Sequence, residues 1–261
     1  YGLVAVMAFL VPVALASAEL ATGWPKQGGV YAWVGEAFGE RWGFVAIWLQ
    51  WIQMVFGMVT VLAFIAGSIA YLFDSSLADN GLFIFGVVCV VYWGATLLNF
   101  KGMKLSGIIS TVCLIGGVLI PGALIIALGI IYMLKGDASQ MSFAFTAENL
   151  FPDFTSFQNV ALMSGIIFIF SGMEVSAAHA NEVRNPQRNY PIAILCAAVL
   201  MVFLNIVGAM SVGVVVPHDE INLAAGVMEA FRAFFDKFNL LWLLPIVAGL
   251  TAFGAMGQVS T

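Results

Sequence analysis

The sequence contains very little charge. Only 9% of its 261 residues are Asp, Glu, Lys or Arg, whereas soluble globular domains contain about 25%. The chain is therefore not a soluble globular domain. Its basic residues are scattered and its formal net charge is −5, so it has no basic cluster of the kind that binds nucleic acid or anionic lipid.

Cysteine and histidine are scarce as well. The three cysteines, Cys89, Cys113 and Cys196, lie far apart within apolar runs, which indicates neither a disulfide framework nor a metal cluster. His179 and Glu182 stand three residues apart and offer at most two metal ligands, so we expect no metal there and a solvated or loop-anchoring role for both. The sequence has no nucleophile elbow and no phosphate-binding glycine loop. We therefore predict neither an enzyme nor a cofactor.

Long apolar runs dominate the chain instead. Hydrophobic residues make up 62% of it, and several runs exceed the roughly 18 residues that cross a bilayer. We predict an all-α polytopic membrane protein with about seven transmembrane helices, the first of them kinked at Pro12. Their expected bounds are Tyr1–Leu20, Trp42–Phe73, Leu82–Leu98, Leu105–Leu134, Phe157–Val183, Pro191–Val216 and from Leu240 to the end. Because the chain begins and stops inside apolar runs, we expect an internal fragment of a longer protein.

Two shorter segments are amphipathic. The first, Val30–Phe38, follows the first apolar run. The second precedes the last run and is predicted to be a helix that lies at the membrane interface rather than crossing it. Its apolar residues recur at helical spacing: Leu223, Val227, Met228, Phe231, Phe234 and Phe235.

The basic residues are unevenly divided between the loops. Loops 22–41, 99–105 and 182–190 contain six of the 9 Lys and Arg residues, and the alternate loops contain three together with most of the loop acids. Since loops rich in Lys and Arg face the cytoplasm, we predict that these three loops are cytoplasmic and the others external.

The second apolar run has a polar face. Gln50, Gln53, Gly57 and Thr60 follow one another at intervals of three, four and three residues, which places them on one side of a helix. Buried polar side chains in a membrane require partners. This face is either one wall of a substrate path or a polar contact between packed helices, and the spacing alone favours neither.

The fifth run is interrupted by Ser171 and Gly172, and the acid Glu174 follows directly. An acidic side chain in an apolar membrane segment costs free energy because it must be desolvated, so its presence indicates a function. The interruption indicates either a helix broken near the midplane, where freed backbone groups bind ligand charges, or a continuous helix with a small-residue contact. Glu174 is then a proton carrier, a gate, a substrate contact or a structural hydrogen-bonding group. After it, Pro186 should end this helix and Pro191 should open the next one at its first turn.

Two motifs resemble one transporter superfamily. Gly172-x-Glu174 followed by Glu182-x-x-Asn185-Pro186-x-Arg188-x-x-Pro191 resembles the sixth-helix signature of the amino acid–polyamine–organocation superfamily. Gly28-Gly29-Val30-Tyr31-x-Trp33 resembles the loop between that superfamily's second and third helices. Three further segments are similar to the bacterial glutamate/γ-aminobutyrate antiporters: Phe151–Phe154, Ala178–Glu182 and Glu220–Met228.

The resemblance covers essentially the whole chain and implies a leucine-transporter-type fold of two inverted five-helix repeats. Residues 1–261 would form one transmembrane transporter domain, truncated at both ends, from family helix two to the start of helix eight. The location implied is the inner (plasma) membrane. The implied partners are amino acids and the lipid bilayer, without nucleic acid, and the resemblance is compatible with a homodimer. The function implied is amino acid exchange by alternating access, glutamate for γ-aminobutyrate, or else transport of another amino acid or a polyamine.

The same resemblance implies a substrate site at a break near Phe168–Gly172, with Glu174 as the inner gate. The implied substrate-binding residues are Phe168, Ile169, Ser171, Gly172, Gln50, Gln53 and Met54. A seven-helix receptor or retinal protein is the distant alternative. The last apolar run has no lysine for a Schiff base, which argues against it.

Overall fold

A computed structural model describes residues 2–24, 28–100, 103–136, 139–140, 157–175, 183, 185–216 and 226–259. These residues form helices and turns, with no strand among them. The helices are α1 (Gly2–Gly23), α2 (Val30–Phe38), α3 (Glu40–Phe73), α4 (Gly81–Asn99), α5 (Met103–Cys113, Leu114–Leu119 and Ile120–Leu134), α6 (Phe157–Ile169), α7 (Pro186–Val215), α8 (Gly226–Lys237) and α9 (Leu244–Val259). Short 3₁₀ turns lie at Ser75–Asp79 and Leu241–Leu243.

In the described part of the chain, 6 helices are long and apolar enough to cross a membrane. They are α1, α3, α4, α5, α7 and the last helix together with its preceding turn. The all-α, multi-pass architecture predicted from the apolar runs is thereby confirmed. The remaining predicted crossing, the fifth, does not reach that length because α6 stops at Ile169.

Prolines inside two of these helices are accommodated by π-helical turns. Val6–Leu10 is π-helical just before Pro12, and Leu114–Leu119 is π-helical just before Pro121. Proline has no N–H to bond the carbonyl four residues earlier. The wider turn lets the preceding N–H groups bond carbonyls five residues back, as Val11 does to Val6. The disturbance predicted at Pro12 takes this form.

The described residues divide into two compact units. The first comprises 1–53 and 143–206 and has a core between α1, α6 and the start of α7. Buried members of that core include Leu10, Met163, Phe170 and Ile194. The hydrophobic residues of α1 and α6 thus pack against one another in this unit.

The second unit comprises 54–142 and 207–261. Its α5 and α9 touch backbone to backbone: a Cβ added at Gly117 would overlap the backbone of Gly254, and one added at Gly254 would overlap Gly117. Small residues allow membrane helices to approach this closely. A second core cluster, around Leu62 and Ile65 of α3 and Ala252 of α9, lies in the same unit.

The helix predicted in the segment before the last apolar run is α8. Its side chains Met228, Phe231, Phe234 and Phe235 are fully buried, whereas Val227 is 38% exposed. The four buried residues form the helical stripe that faces the protein. Leu223 lies outside the described residues.

Aromatic contacts attach α8 to the end of α5. The rings of Tyr132 and Phe234 meet edge to face at 5.9 Å. Lys237 lies 4.6 Å above the Tyr132 ring, and Lys135 lies 4.5 Å above the Phe238 ring. These two cation–π pairs join the C-terminal ends of both helices.

The start of α7 differs from the expectation. The helix begins at Pro186 rather than at Pro191, which lies inside it. Asn185 precedes it at φ 50°, and its carbonyl accepts the N–H groups of Arg188 and Asn189. Proline suits the first helical position because that N–H has no partner within the helix. Pro191 forfeits only the single bond to the Gln187 carbonyl, which the helix tolerates.

Candidate functional site

The fifth apolar run is broken at the predicted position. The helix α6 ends at Ile169, and Ser171 and Gly172 are not helical. Gly172 has φ 103°, a conformation that side-chain-bearing residues rarely adopt and glycine adopts freely. The continuous-helix alternative is therefore wrong for this stretch.

The break replaces the helical hydrogen bonds around Phe168 and Gly172 with others. In an uninterrupted helix the Gly172 N–H would bond the Phe168 carbonyl. Here the Gly172 N–H donates to the Glu174 carboxylate at 3.2 Å, while the Phe168 carbonyl accepts from the Ser171 N–H at 3.2 Å and from the Ser171 hydroxyl at 2.7 Å. Both ends of the lost bond keep partners, which backbone groups need away from water.

A second helix holds the break in place. The Gln53 amide on α3 donates a hydrogen bond to the Ser171 hydroxyl at 2.5 Å. That hydroxyl then accepts from Gln53 and donates to the Phe168 carbonyl. The polar face on α3 was interpreted as either a wall of a substrate path or a polar contact between helices. For Gln53 the contact between helices is observed.

Two buried side chains fix the broken segment to the core of the first unit. Phe170 is 2% exposed and Met173 is 7% exposed, and both belong to the cluster that contains Leu10 and Tyr190. These two residues were not predicted from the sequence. One apolar residue on each side of Ser171 and Gly172 was the only sequence pattern that could have indicated them. It is not distinctive because most neighbouring residues in this run are apolar too.

The side chains between these anchors are more accessible. Phe168 is 39% exposed and Ile169 is 51% exposed, and both Ser171 and Glu174 are half-buried. The predicted site residues Phe168, Ile169, Ser171, Gly172 and Glu174 therefore lie together at one end of α6, with Gln53 bonded to them.

Two further predicted site residues, Gln50 and Met54, lie on α3 on either side of Gln53. Gln50 lies one turn before Gln53 and is half-buried, and within the described residues its side chain makes no hydrogen bond. Met54 belongs to the second unit, where it is 53% exposed. His179 and Glu182 lie outside the described residues. Across the ranges that the structure describes, no group of three or more potential metal ligands occurs.

The broken end of α6 has negative character. The C-terminal end of a helix carries the partial negative charge of its unpaired carbonyls, and the Glu174 carboxylate lies five residues beyond Ile169. Discontinuous membrane helices use such ends to coordinate cationic groups. The arrangement is chemically suited to bind an amine while leaving neighbouring apolar side chains free to contact the rest of a small molecule.

These features define a multi-pass membrane protein with a helix broken at a polar cluster. The amino acid permease family matches the chain over residues 1–261. The chain belongs to this family, and its all-helical architecture is the corresponding part of the family's fold.

Known proteins similar to the chain include several bacterial transporters. An uncharacterized transporter of Legionella pneumophila is 40% identical over 260 residues, which is 100% of this chain and 55% of that protein. A glutamate/gamma-aminobutyrate antiporter of Lactococcus lactis subsp. cremoris is 34% identical over 97% of this chain and 51% of its own length. A serine/threonine exchanger of Bacillus subtilis is 31% identical over 73% of this chain. The chain spans about half the length of the curated relatives it matches.

Proposed function

We propose that the protein containing this chain exchanges amino acids across the inner membrane by alternating access around the break at the end of α6. The observation that carries the proposal is the hydrogen-bonded break itself, in which Gly172 leaves the helix and Ser171 bonds to Gln53 of α3. A structural helix would have no need of a polar interruption inside an apolar run.

The substrate pair that we propose is glutamate and γ-aminobutyrate. Support comes from two Lactococcus lactis antiporters of that name, each 34% identical over 97% of the chain. A permease for other amino acids or polyamines is the second candidate, favoured by the 31% identity to a serine/threonine exchanger and the 24% identity to a probable agmatine/putrescine antiporter. All these substrates contain an amine, which suits the carbonyl end of α6.

In this proposal the amine of the substrate binds at the end of α6, next to Ser171 and Gly172. Phe168 and Ile169, which are partly exposed there, contact the substrate's carbon chain. The remaining members of the proposed substrate-binding set are on α3: Gln50, Gln53 and Met54.

Glu174 is proposed as the inner gate. Its carboxylate accepts the Gly172 N–H, so a change in that carboxylate acts directly on the conformation of the break. The variant Glu174→Gln keeps an oxygen acceptor and loses the charge. We expect it to fold normally but to alter the pH dependence or the turnover of exchange. Exchange that matches the unmodified protein at every pH from acidic to neutral would rule out this role.

The experiment that tests the proposed function is counterflow. The full-length protein is reconstituted in liposomes loaded with γ-aminobutyrate, arginine or putrescine, and uptake of labelled glutamate is measured at two pH values. We expect uptake driven by internal γ-aminobutyrate. Uptake driven by arginine but not by γ-aminobutyrate would overturn the substrate assignment, and no uptake with any amino acid inside would overturn the function.

A further inference from the structure

The second unit contains a cavity of about 340 Å³. It lies where the end of α3 and the following loop meet α8 and the start of α9. Its polar lining comes from Tyr71, Asp74, Ser75 and Arg232, and apolar side chains, among them Phe73, complete the wall. This volume falls within the roughly 300–1,000 Å³ of small-molecule sites.

The cavity lies at the external end of its helices according to the charge distribution of the loops. The helix α3 starts at Glu40, next to the loop 22–41 that is predicted to be cytoplasmic, and it ends at Phe73 beside the cavity. A helix of this length crosses the bilayer once. The cavity therefore opens on the side from which an external solute arrives.

Two opposite charges line the cavity without neutralising each other. Within the described residues, the Arg232 guanidinium makes no hydrogen bond or ion pair, with Asp74 or with any other group. Asp74 accepts the Ser76 N–H at 2.9 Å, and the hydrogen bonds from Ser76 hold the pKa of Asp74 below its usual value. The carboxylate consequently stays ionised at neutral pH, so one wall is anionic and another is cationic.

We infer that this cavity is an external binding site for a free amino acid in its zwitterionic form. Arg232 binds the carboxylate, Asp74 binds the ammonium group, and the apolar wall contacts the methylene groups between or beside them. A guanidinium recognises a carboxylate with paired hydrogen bonds, and a carboxylate repels phosphate and other anions. Arg232 in turn repels diamines such as putrescine, so the pair selects amino acids.

The inference rests on the proposed function in one respect: the amino acid bound in the cavity is taken to be a transport substrate. A site of this kind binds substrate at the external surface before transport. Because Arg232 and Asp74 are both exposed to solvent, their attraction for a ligand is screened. We therefore expect weak binding that releases the amino acid readily.

The test measures occupancy without requiring transport. Ser75, a half-buried member of the lining, is replaced in Ser75→Cys in full-length protein whose own accessible thiols have been removed. The protein is reconstituted in liposomes, and labelling by a membrane-impermeant maleimide is timed with and without glutamate or γ-aminobutyrate. Ala78→Cys, at an uncharged and half-buried residue of the same loop outside the lining, is the matched control.

At an amino acid concentration ten times the Kd, simple saturation leaves about one site in eleven free, so labelling of Ser75→Cys should slow by roughly tenfold. Labelling of Ala78→Cys should not change. Adding Arg232→Gln should abolish the protection, whereas Lys237→Gln, which removes a charge from the same helix outside the cavity, should preserve it. Putrescine and inorganic phosphate should give no protection.

Protection by phosphate or putrescine equal to that by glutamate would overturn the inference, as would protection that survives Arg232→Gln. Absence of protection by either amino acid in a protein that performs counterflow would overturn the inference and leave the proposed function standing. Full protection in a protein that fails counterflow would support the site and overturn the proposed function.

Discussion

Replacing Gly172 by alanine tests whether the break in α6 depends on its backbone conformation. Gly172 has φ 103°, and an added Cβ would meet no atom of the described residues within 4 Å. Steric overlap with these residues therefore does not contribute to the effect. The cost of Gly172→Ala arises from forcing a residue with a side chain into a conformation that only glycine adopts easily.

The size of that effect follows from the dihedral angle. Backbone conformations of this kind cost about 1–3 kcal/mol for a residue with a Cβ, which corresponds to about a 5- to 150-fold change in population. A matched control is Gly165→Ala in the same segment, which is helical and where an added Cβ would also meet no described residue within 4 Å. There alanine should stabilise the helix by about 0.5–1 kcal/mol, so the two variants should differ in sign.

The assay is thermal unfolding of the full-length protein in lipid nanodiscs, followed by the counterflow rate of each variant. We expect Gly172→Ala to melt below the unmodified protein and to exchange more slowly, and Gly165→Ala to melt at the same temperature or above. If Gly172→Ala melts as high as Gly165→Ala, the positive φ does not hold the break and the reasoning is refuted.

Three other experiments test the packing around the site and in the second unit. A double-mutant cycle of Gln53→Ala and Ser171→Ala should give a coupling free energy of about 0.5–1.5 kcal/mol in unfolding measurements, because each removes the same hydrogen bond; additive effects would contradict that contact. Gly254→Ala should lower the melting temperature through a loss of about 1–3 kcal/mol, because its methyl group overlaps the α5 backbone; unchanged melting would show that the two helices can separate freely. Phe231→Ala, at a fully buried ring, should destabilise the protein by about 3–5 kcal/mol, and a loss below 1 kcal/mol would place α8 outside the core.

The transmembrane helices could be predicted because the bilayer imposes a length and a composition on each of them. The expected Trp42–Phe73 and Leu82–Leu98 differ by two residues or fewer at each end from the observed Glu40–Phe73 and Gly81–Asn99. The position of the break could be predicted from Ser171 and Gly172 because both are poor helix formers.

The internal contacts of the site could not be predicted in the same way. Whether Gln53 faces a substrate or another helix depends on which helices are neighbours, and a spacing along one helix does not reveal them. The new hydrogen-bond partners of the Phe168 carbonyl and the Gly172 N–H depend on the backbone dihedral angles at the break. The residue types alone do not determine those angles. For the start of α7, two prolines five residues apart, Pro186 and Pro191, each fit a first helical turn.

The position of the substrate is the central claim, and a single cysteine at the end of α6 tests it most directly. Ile169 is 51% exposed at the last turn of that helix, and Ala161 is an exposed residue of the same helix two turns earlier. In full-length Ile169→Cys, with the protein's other accessible thiols removed, a small thiol reagent should block counterflow, and glutamate or γ-aminobutyrate should slow the block. The same reagent should leave Ala161→Cys active. If the block of Ile169→Cys proceeds at the same rate with and without substrate while exchange is under way, the substrate does not bind at the break in α6.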